Sequence, residues 1–170
     1  SIHLAQQLLL LARMEPEAVS RPHLPVDMAE LARFCAEQFA AQAVAKTINL
    51  GFASEGDCTI TGDIEGLRVL VNDLIDNAIR YTPAGGSVDV GVKRNENALT
   101  LEVSDSGIGI PPSERERVFD RFYRITGTNA LGTGLGLAIV KAIADHHQAN
   151  IGIHDGKDGR GTCIRVAFPL

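Results

Sequence analysis

The sequence predicts a two-layer α/β (α+β) domain, a mixed sheet of about five or more strands with helices packed on one face. Three observations carry this. The chain has 170 residues, close to one domain, and a chain of that size buries roughly 70 % of its unfolded surface, enough for one core. Apolar residues make up 45 % and charged residues 22 %, the balance of a folded domain rather than a disordered one. Helical stripes and strand-like alternations follow one another as α-α-β-β-α-β-β-α-α-β-β, an order that lays helices on a sheet.

Residues 1–15 read as a helix with Leu4, Leu8 and Leu11 on one stripe, stopped by Pro16. A helix this short is marginal alone, so it reads as the tail of a longer one. Residues 16–25 hold three prolines with Pro16, Pro22 and Pro25 and read as a linker. Asp27 is an N-cap candidate for a second helix running through Leu31, Phe34, Phe39 and Val44. Strands follow near residues 48–53 and 58–61. Asp63 caps a third helix with an apolar stripe of Ile64, Leu67, Val71, Leu74, Ile75 and Ala78, ended at Thr82-Pro83. Val88, Val90 and Val92, then Leu99, Leu101 and Val103, alternate around a turn at residues 95–97, which predicts a hairpin. A short helix near residues 113–119, a helix over residues 134–147 and two strands, 150–154 and 162–168, complete the chain.

Sixteen basic against twenty-one acidic residues leave a net charge of −5, which disfavours a nucleic-acid or anionic-membrane surface. The longest wholly apolar run, Leu8 to Ala12, is far short of the ~20 residues that span a bilayer. Cys35, Cys58 and Cys163 are odd in number and widely spaced, and read as buried hydrophobes in a reducing compartment. These features predict a soluble intracellular domain.

The glycines point to the chemistry. Gly107, Gly109, Gly127, Gly132, Gly134 and Gly136 fall within thirty residues. They match neither a Walker A loop, since no lysine precedes Thr133, nor a dinucleotide fingerprint, since Leu137 and Pro112 stand where its third glycine belongs. Gly132-Thr133-Gly134-Leu135-Gly136 nevertheless opens a helix, and free N–H groups at a helix start attract phosphate; an ordinary flexible loop is the alternative. On the third helix Asp73, Asp76, Asn77 and Arg80 share a face opposite the apolar stripe. That face is either merely solvated or a place to hold a hard cation and a phosphate together. Asp105 ends a strand, where it either forms a turn with Ser106-Gly107 or accepts a hydrogen bond from an exocyclic amine.

In combination these segments resemble the catalytic ATP-binding domain of bacterial sensor histidine kinases, of the superfamily shared with DNA gyrase, mismatch-repair and chaperone ATPases. Asp73-Leu-Ile-Asp-Asn77-Ala-Ile-Arg80-Tyr81-Thr-Pro83 is similar to that family's N box and residues 105–111 to its G1 box. Phe119-Asp-Arg-Phe-Tyr-Arg124 is similar to the F box and residues 132–140 to the G2 box. The resemblance covers residues 26–170 as the catalytic domain with a Bergerat-type ATP-binding fold. Residues 1–15 resemble the end of the dimerisation and phosphoacceptor hairpin.

The resemblance implies ATP and Mg²⁺ as cofactors and phosphoryl transfer achieved by positioning and charge neutralisation. It makes Asn77 the metal ligand, Arg80 a phosphate contact and Tyr81 an adenine-side ring. Asp105 would read the adenine amine, with Gly107, Gly109 and Ile110 around the base and Tyr123 and Arg124 bordering the nucleotide. Thr133, Gly134, Leu135, Gly136 and Leu137 would cradle the phosphates, and residues 121–131 would form a mobile lid. Asn77, Arg124 and Asp73 are the catalytic candidates. Partners implied are the parent's phosphoacceptor hairpin, a second parent chain and a response regulator, in the cytoplasmic part of a membrane-anchored kinase.

Two features depart from the family pattern. Asp73 stands where the N box usually has Asn, and an acid there resembles the hydrolytic relatives. None of the five histidines lies where an acceptor histidine belongs: His3, His23, His146, His147 and His154 read as surface or packing residues.

Overall fold

The computed structural model describes residues 2–13, 21–123 and 136–170. Its elements are α1 (Ile2–Arg13), β1 (Leu24–Asp27), α2 (Met28–Gln38), α3 (Ala40–Ala45), β2 (Asn49–Glu55) and β3 (Thr59–Gly62). They continue with α4 (Ile64–Tyr81), β4 (Ser87–Arg94), β5 (Ala98–Asp105), α5 (Gly136–His146), β6 (Asn150–Asp155) and β7 (Thr162–Pro169).

Five strands form one mixed sheet in the order β2-β4-β5-β7-β6. β2 runs parallel to β4, which requires the crossover through α4. The other neighbours are antiparallel. The hairpin register pairs Val90 with Val103 and Val92 with Leu101, and β7 adds Val166 opposite Leu101 and Phe168 opposite Leu99. One sheet face is therefore a continuous apolar layer, and α2, α4 and α5 cover it. The expected two-layer architecture is the observed one.

α4 is the central piece of the helical layer. Asp63 accepts the Glu65 amide at its N-cap, and Leu67, Leu70, Val71, Leu74, Ile75, Ala78 and Ile79 are buried. Each large side chain contributes about 1.5–3 kcal/mol by leaving water. The helix stops at Thr82, whose hydroxyl donates to the Ala78 carbonyl at 2.7 Å, and Pro83 cannot continue it. Lys46 donates to the carbonyls of Ile79 and Arg80 at 2.7 and 3.0 Å, covering groups that a helix end leaves open.

Three local expectations are corrected. Residues 24 and 25, read as the end of a linker, begin β1, which pairs antiparallel with β3. Pro25 is tolerated because this sheet has only two strands and so β1 has a free edge. The single helix after Asp27 is two, because Phe39 leaves helical geometry at φ −95° and ψ 0°; Asp27 itself caps α2 as predicted, accepting the amides of Ala29 and Glu30. The short helix near residues 113–119 is a pair of 3₁₀ turns, Pro112–Glu114 and Arg117–Phe119.

His147 closes the side of the domain where the chain enters. It is buried, and its Nε2 accepts the Asp63 amide at 3.0 Å. Its Nδ1 must then carry the hydrogen, donated to the Ile143 carbonyl at 2.8 Å. His23 stacks on it with ring centroids 4.9 Å apart, and Arg21 pairs with Asp63 at 2.7 Å.

Candidate nucleotide-binding site

Asp105 is the last residue of the central strand, opposite Val88 of β4 and Thr162 of β7. Its Oδ1 accepts two backbone amides, from Gly107 at 2.9 Å and from Thr162 at 3.2 Å. Burial pushes its carboxyl above the usual range, and the two amide bonds only partly offset this. With Oδ1 committed, Oδ2 is the atom available to an outside donor.

The loop after Asp105 is bonded to the end of α4. The Ile108 amide donates to the Tyr81 carbonyl at 3.4 Å. Gly107 is obligatory here, since a Cβ on it would lie 2.3 Å from that same carbonyl oxygen. Gly109 adopts φ +77° and faces the Gly161 carbonyl, so its backbone conformation also favours glycine. Thus both glycines are explained by close backbone approach of the loop to its neighbours, the end of α4 and the β6–β7 turn, and the wall they build carries Asp105 and Ile110.

On α4, Asp73, Asp76 and Asn77 are half-buried and Arg80 is exposed. Arg80 pairs with Asp76 at 2.9 Å. Of the two readings of this face, mere solvation does not describe Asp73: its Oδ2 and the neighbouring Asn72 Oδ1 are shut off from solvent with no hydrogen-bond partner. Burial first, then the charge of Asp76, push the Asp73 carboxyl up to about 7, against the pull of Arg80. A buried oxygen without a donor is what a cation or a proton would satisfy.

Tyr81 is half-buried at the helix end, and Tyr123 is half-buried with the Arg117 guanidinium 4.8 Å from its ring centroid. Gly136 and Leu137 begin α5, where Leu137 packs against the core. Arg124, Thr133, Gly134 and Leu135 lie outside the described residues, as does most of the expected lid at 121–131. Sequence reasoning missed two residues. Thr162 reaches Asp105 only through strand pairing, and Lys46 reaches α4 from 33 residues away; neither is signalled locally.

Comparisons with known proteins identify the family. The family described as "Histidine kinase-, DNA gyrase B-, and HSP90-like ATPase" matches residues 62–170, and the chain belongs to it as a catalytic ATPase domain of the histidine kinase type. Among curated relatives, the sensor protein kinase PmrB of Pseudomonas aeruginosa is 38 % identical over 98 % of this chain and 35 % of its own length. The histidine-protein kinase BaeS of Escherichia coli is 30 % identical over 98 % of this chain and 36 % of its own. The chain thus spans about a third of the length of such relatives. Among solved structures, the mycobacterial sensor histidine kinase MprB superposes with a TM-score of 0.77 at 32 % identity, covering 86 % of this chain and 97 % of that one. Full-length ShkA in complex with AMPPNP gives 0.86 at 27 % identity, covering 99 % and 35 %.

Proposed function

We propose that this domain binds ATP with Mg²⁺ and donates the γ-phosphoryl group to a histidine on the dimerisation hairpin of a longer, dimeric, membrane-anchored sensor kinase that serves a response regulator. Asp105 supports this best. Its carboxylate stands at the end of the central strand with one oxygen held by two amides and the other free to accept the adenine amine. The carboxylate would orient the base, and the half-buried Asn77 of α4 would serve the metal and phosphates. Hard oxygens on α4 suit Mg²⁺: the Asn77 amide oxygen, and the buried, partnerless Oδ2 of Asp73. Among the described residues no three His, Cys, Asp or Glu side chains cluster as metal ligands. Such an ion would therefore take most of its ligands from phosphates and water, where it would neutralise phosphate charge. Arg80 would share its guanidinium between Asp76 and a phosphate, a change of partner that costs little for an exposed pair.

The test is phosphoryl transfer in trans. Mixed with radiolabelled ATP and a separate acceptor hairpin from its parent, this chain should place acid-labile phosphate on the hairpin. Transfer should be slow for want of tethering. Label on this chain alone would contradict the reading.

The buried Asp73 favours a second reading, an ATP-gated hydrolase with Asp73 activating water as general base. Asp73→Asn should then abolish a slow ATPase while leaving nucleotide affinity nearly intact. A variant that hydrolyses as fast as the parent ends that idea.

A further inference from the structure

The loop that carries the base-facing wall is held from behind by a side chain outside the four recognised motif cores. Arg115 directly follows the first 3₁₀ turn. Its Nε donates to the Ile110 carbonyl at 3.0 Å, Nη1 to the Ile153 carbonyl at 3.5 Å, and Nη2 to Asp155 Oδ1 at 2.6 Å. One planar guanidinium thereby joins the end of the loop to the last residues of the edge strand β6. The Arg115 side chain is only 24 % exposed, whereas Asp155 is 69 % exposed. The carbonyl bonds are therefore the shielded part of the arrangement, and the carboxylate is its outer anchor.

The same corner is tight elsewhere. Gly161, in the turn between β6 and β7, has φ +70°, and a Cβ there would lie 2.0 Å from the Asp105 carbonyl oxygen and 2.7 Å from the Gly107 nitrogen. Gly156, beside Asp155, would place a Cβ 2.8 Å from the same Asp105 oxygen. The turn at 155–161 is thus the underside of the loop at 106–110. Among the described residues the tip of this loop is open, with Ile108 60 % exposed. Ser106 is tied to Ser87 of β4 by two bonds, at 3.0 and 2.8 Å, but beyond it the loop meets α4 through one 3.4 Å backbone bond, and its exposed tip would otherwise fluctuate.

We propose that Arg115 is a positioning residue for the nucleotide base: it clamps Ile110 to β6 and keeps the loop at 106–110 in its ligand-ready shape before nucleotide arrives. It touches no ligand in this assignment. It lowers the ordering cost of binding, as preorganised loops do. Lysine replaces it only in part, because one ammonium cannot meet three acceptors lying in the plane of a fork. The inference rests on the nucleotide reading given above, and its test separates the two.

The experiment measures amide hydrogen exchange on the whole chain without ligand, and ADP affinity by calorimetry, for the parent, Arg115→Ala, Arg115→Lys and Asp155→Ala. In Arg115→Ala, exchange at Gly107, Ile108 and Gly156 should accelerate while the centres of β4 and β5 keep their protection. ADP should bind roughly tenfold more weakly, the size expected for about one lost charged hydrogen bond, and saturating ADP should restore loop protection. Arg115→Lys should recover part of both effects. Asp155→Ala should give a smaller loss, since its carboxylate is exposed. Unchanged loop exchange with unchanged affinity overturns the proposal, and so does a uniform loss of protection across the sheet, which would mean a stability role alone. A parent that binds no ADP, but whose loop still loosens in Arg115→Ala, keeps the clamp and sinks the nucleotide reading.

Discussion

Thr162 donates its backbone amide to Oδ1 of Asp105 at 3.2 Å across the β5–β7 pair. The strand that closes the domain thereby fixes which oxygen of Asp105 remains for a ligand. Under the proposed function, base recognition would rest on sheet register as much as on the loop that follows.

Asp105→Asn should preserve this arrangement and invert its meaning. The asparagine carbonyl oxygen can still accept from Gly107 and Thr162, which leaves its amide group where Oδ2 was. A donor then faces the donating adenine amine. Calorimetry should show little change in fold stability, weaker ATP binding and a lost preference for ATP over GTP.

Asn77→Ala should act through the metal. Affinity for ATP should fall roughly tenfold or more with Mg²⁺ present and much less with EDTA. Equal affinity under both conditions would remove Asn77 from the metal site.

Gly107→Ala should damage loop and affinity together. The added methyl would overlap the Tyr81 carbonyl oxygen, to which the neighbouring Ile108 amide donates. Forced shifts of this kind cost about 1–3 kcal/mol. Urea denaturation should show the loss, and ADP titration should show weaker binding in the folded fraction.

Asp73→Asn should stabilise the free protein in a pH-dependent way. The folded carboxyl titrates at about 7, above its unfolded value of about 3.9. Between those values the folded state holds the extra proton, so the parent loses stability as pH rises from 4 to 7. The variant lacks that penalty. Urea midpoints of the two should therefore coincide near pH 4 and separate by pH 8, the variant being the more stable; a gap that does not grow with pH would show that Asp73 is not buried as described.

His147 sets the opposite slope. Burial pulls its pKa down, with His23 and His146 adding to the effect and the Ile143 carbonyl and Asp63 opposing it. The unfolded imidazole takes up a proton first, at about 6.5. This contribution to stability is complete above that pH and is lost as pH falls toward the lower folded value. Arg21, paired with Asp63, faces the same cluster and moderates that opposition. His147→Gln keeps a donor and an acceptor without titrating, so it should flatten the decline in urea midpoint between pH 7 and 5.

Much of this molecule was determined locally. Asp27 and Asp63 cap their helices as their side chains dictate, the stripe from Leu67 to Ile79 is buried as its period requires, and the valines of β4 and leucines of β5 face one core. The order of the four motifs, read along the chain, identified the family that the comparisons establish. These features depend on short-range geometry: a capping carboxylate sees its own amides, and a period of 3.6 or 2 is a property of one element. Tertiary structure alone decided the rest. Helical periodicity places Asp73 on a polar face but cannot say what covers that face, and here its Oδ2 is sealed from water. β1 carries a proline and too few residues to signal a strand, and exists because β3 offers it partners. Lys46 and Thr162 acquire their roles from residues at least 33 positions away, and Arg115, near Ile110 in sequence, becomes a clamp only through Ile153 and Asp155 of β6. A contact of that kind is set by how the layers pack, so no window of sequence around either partner contains it.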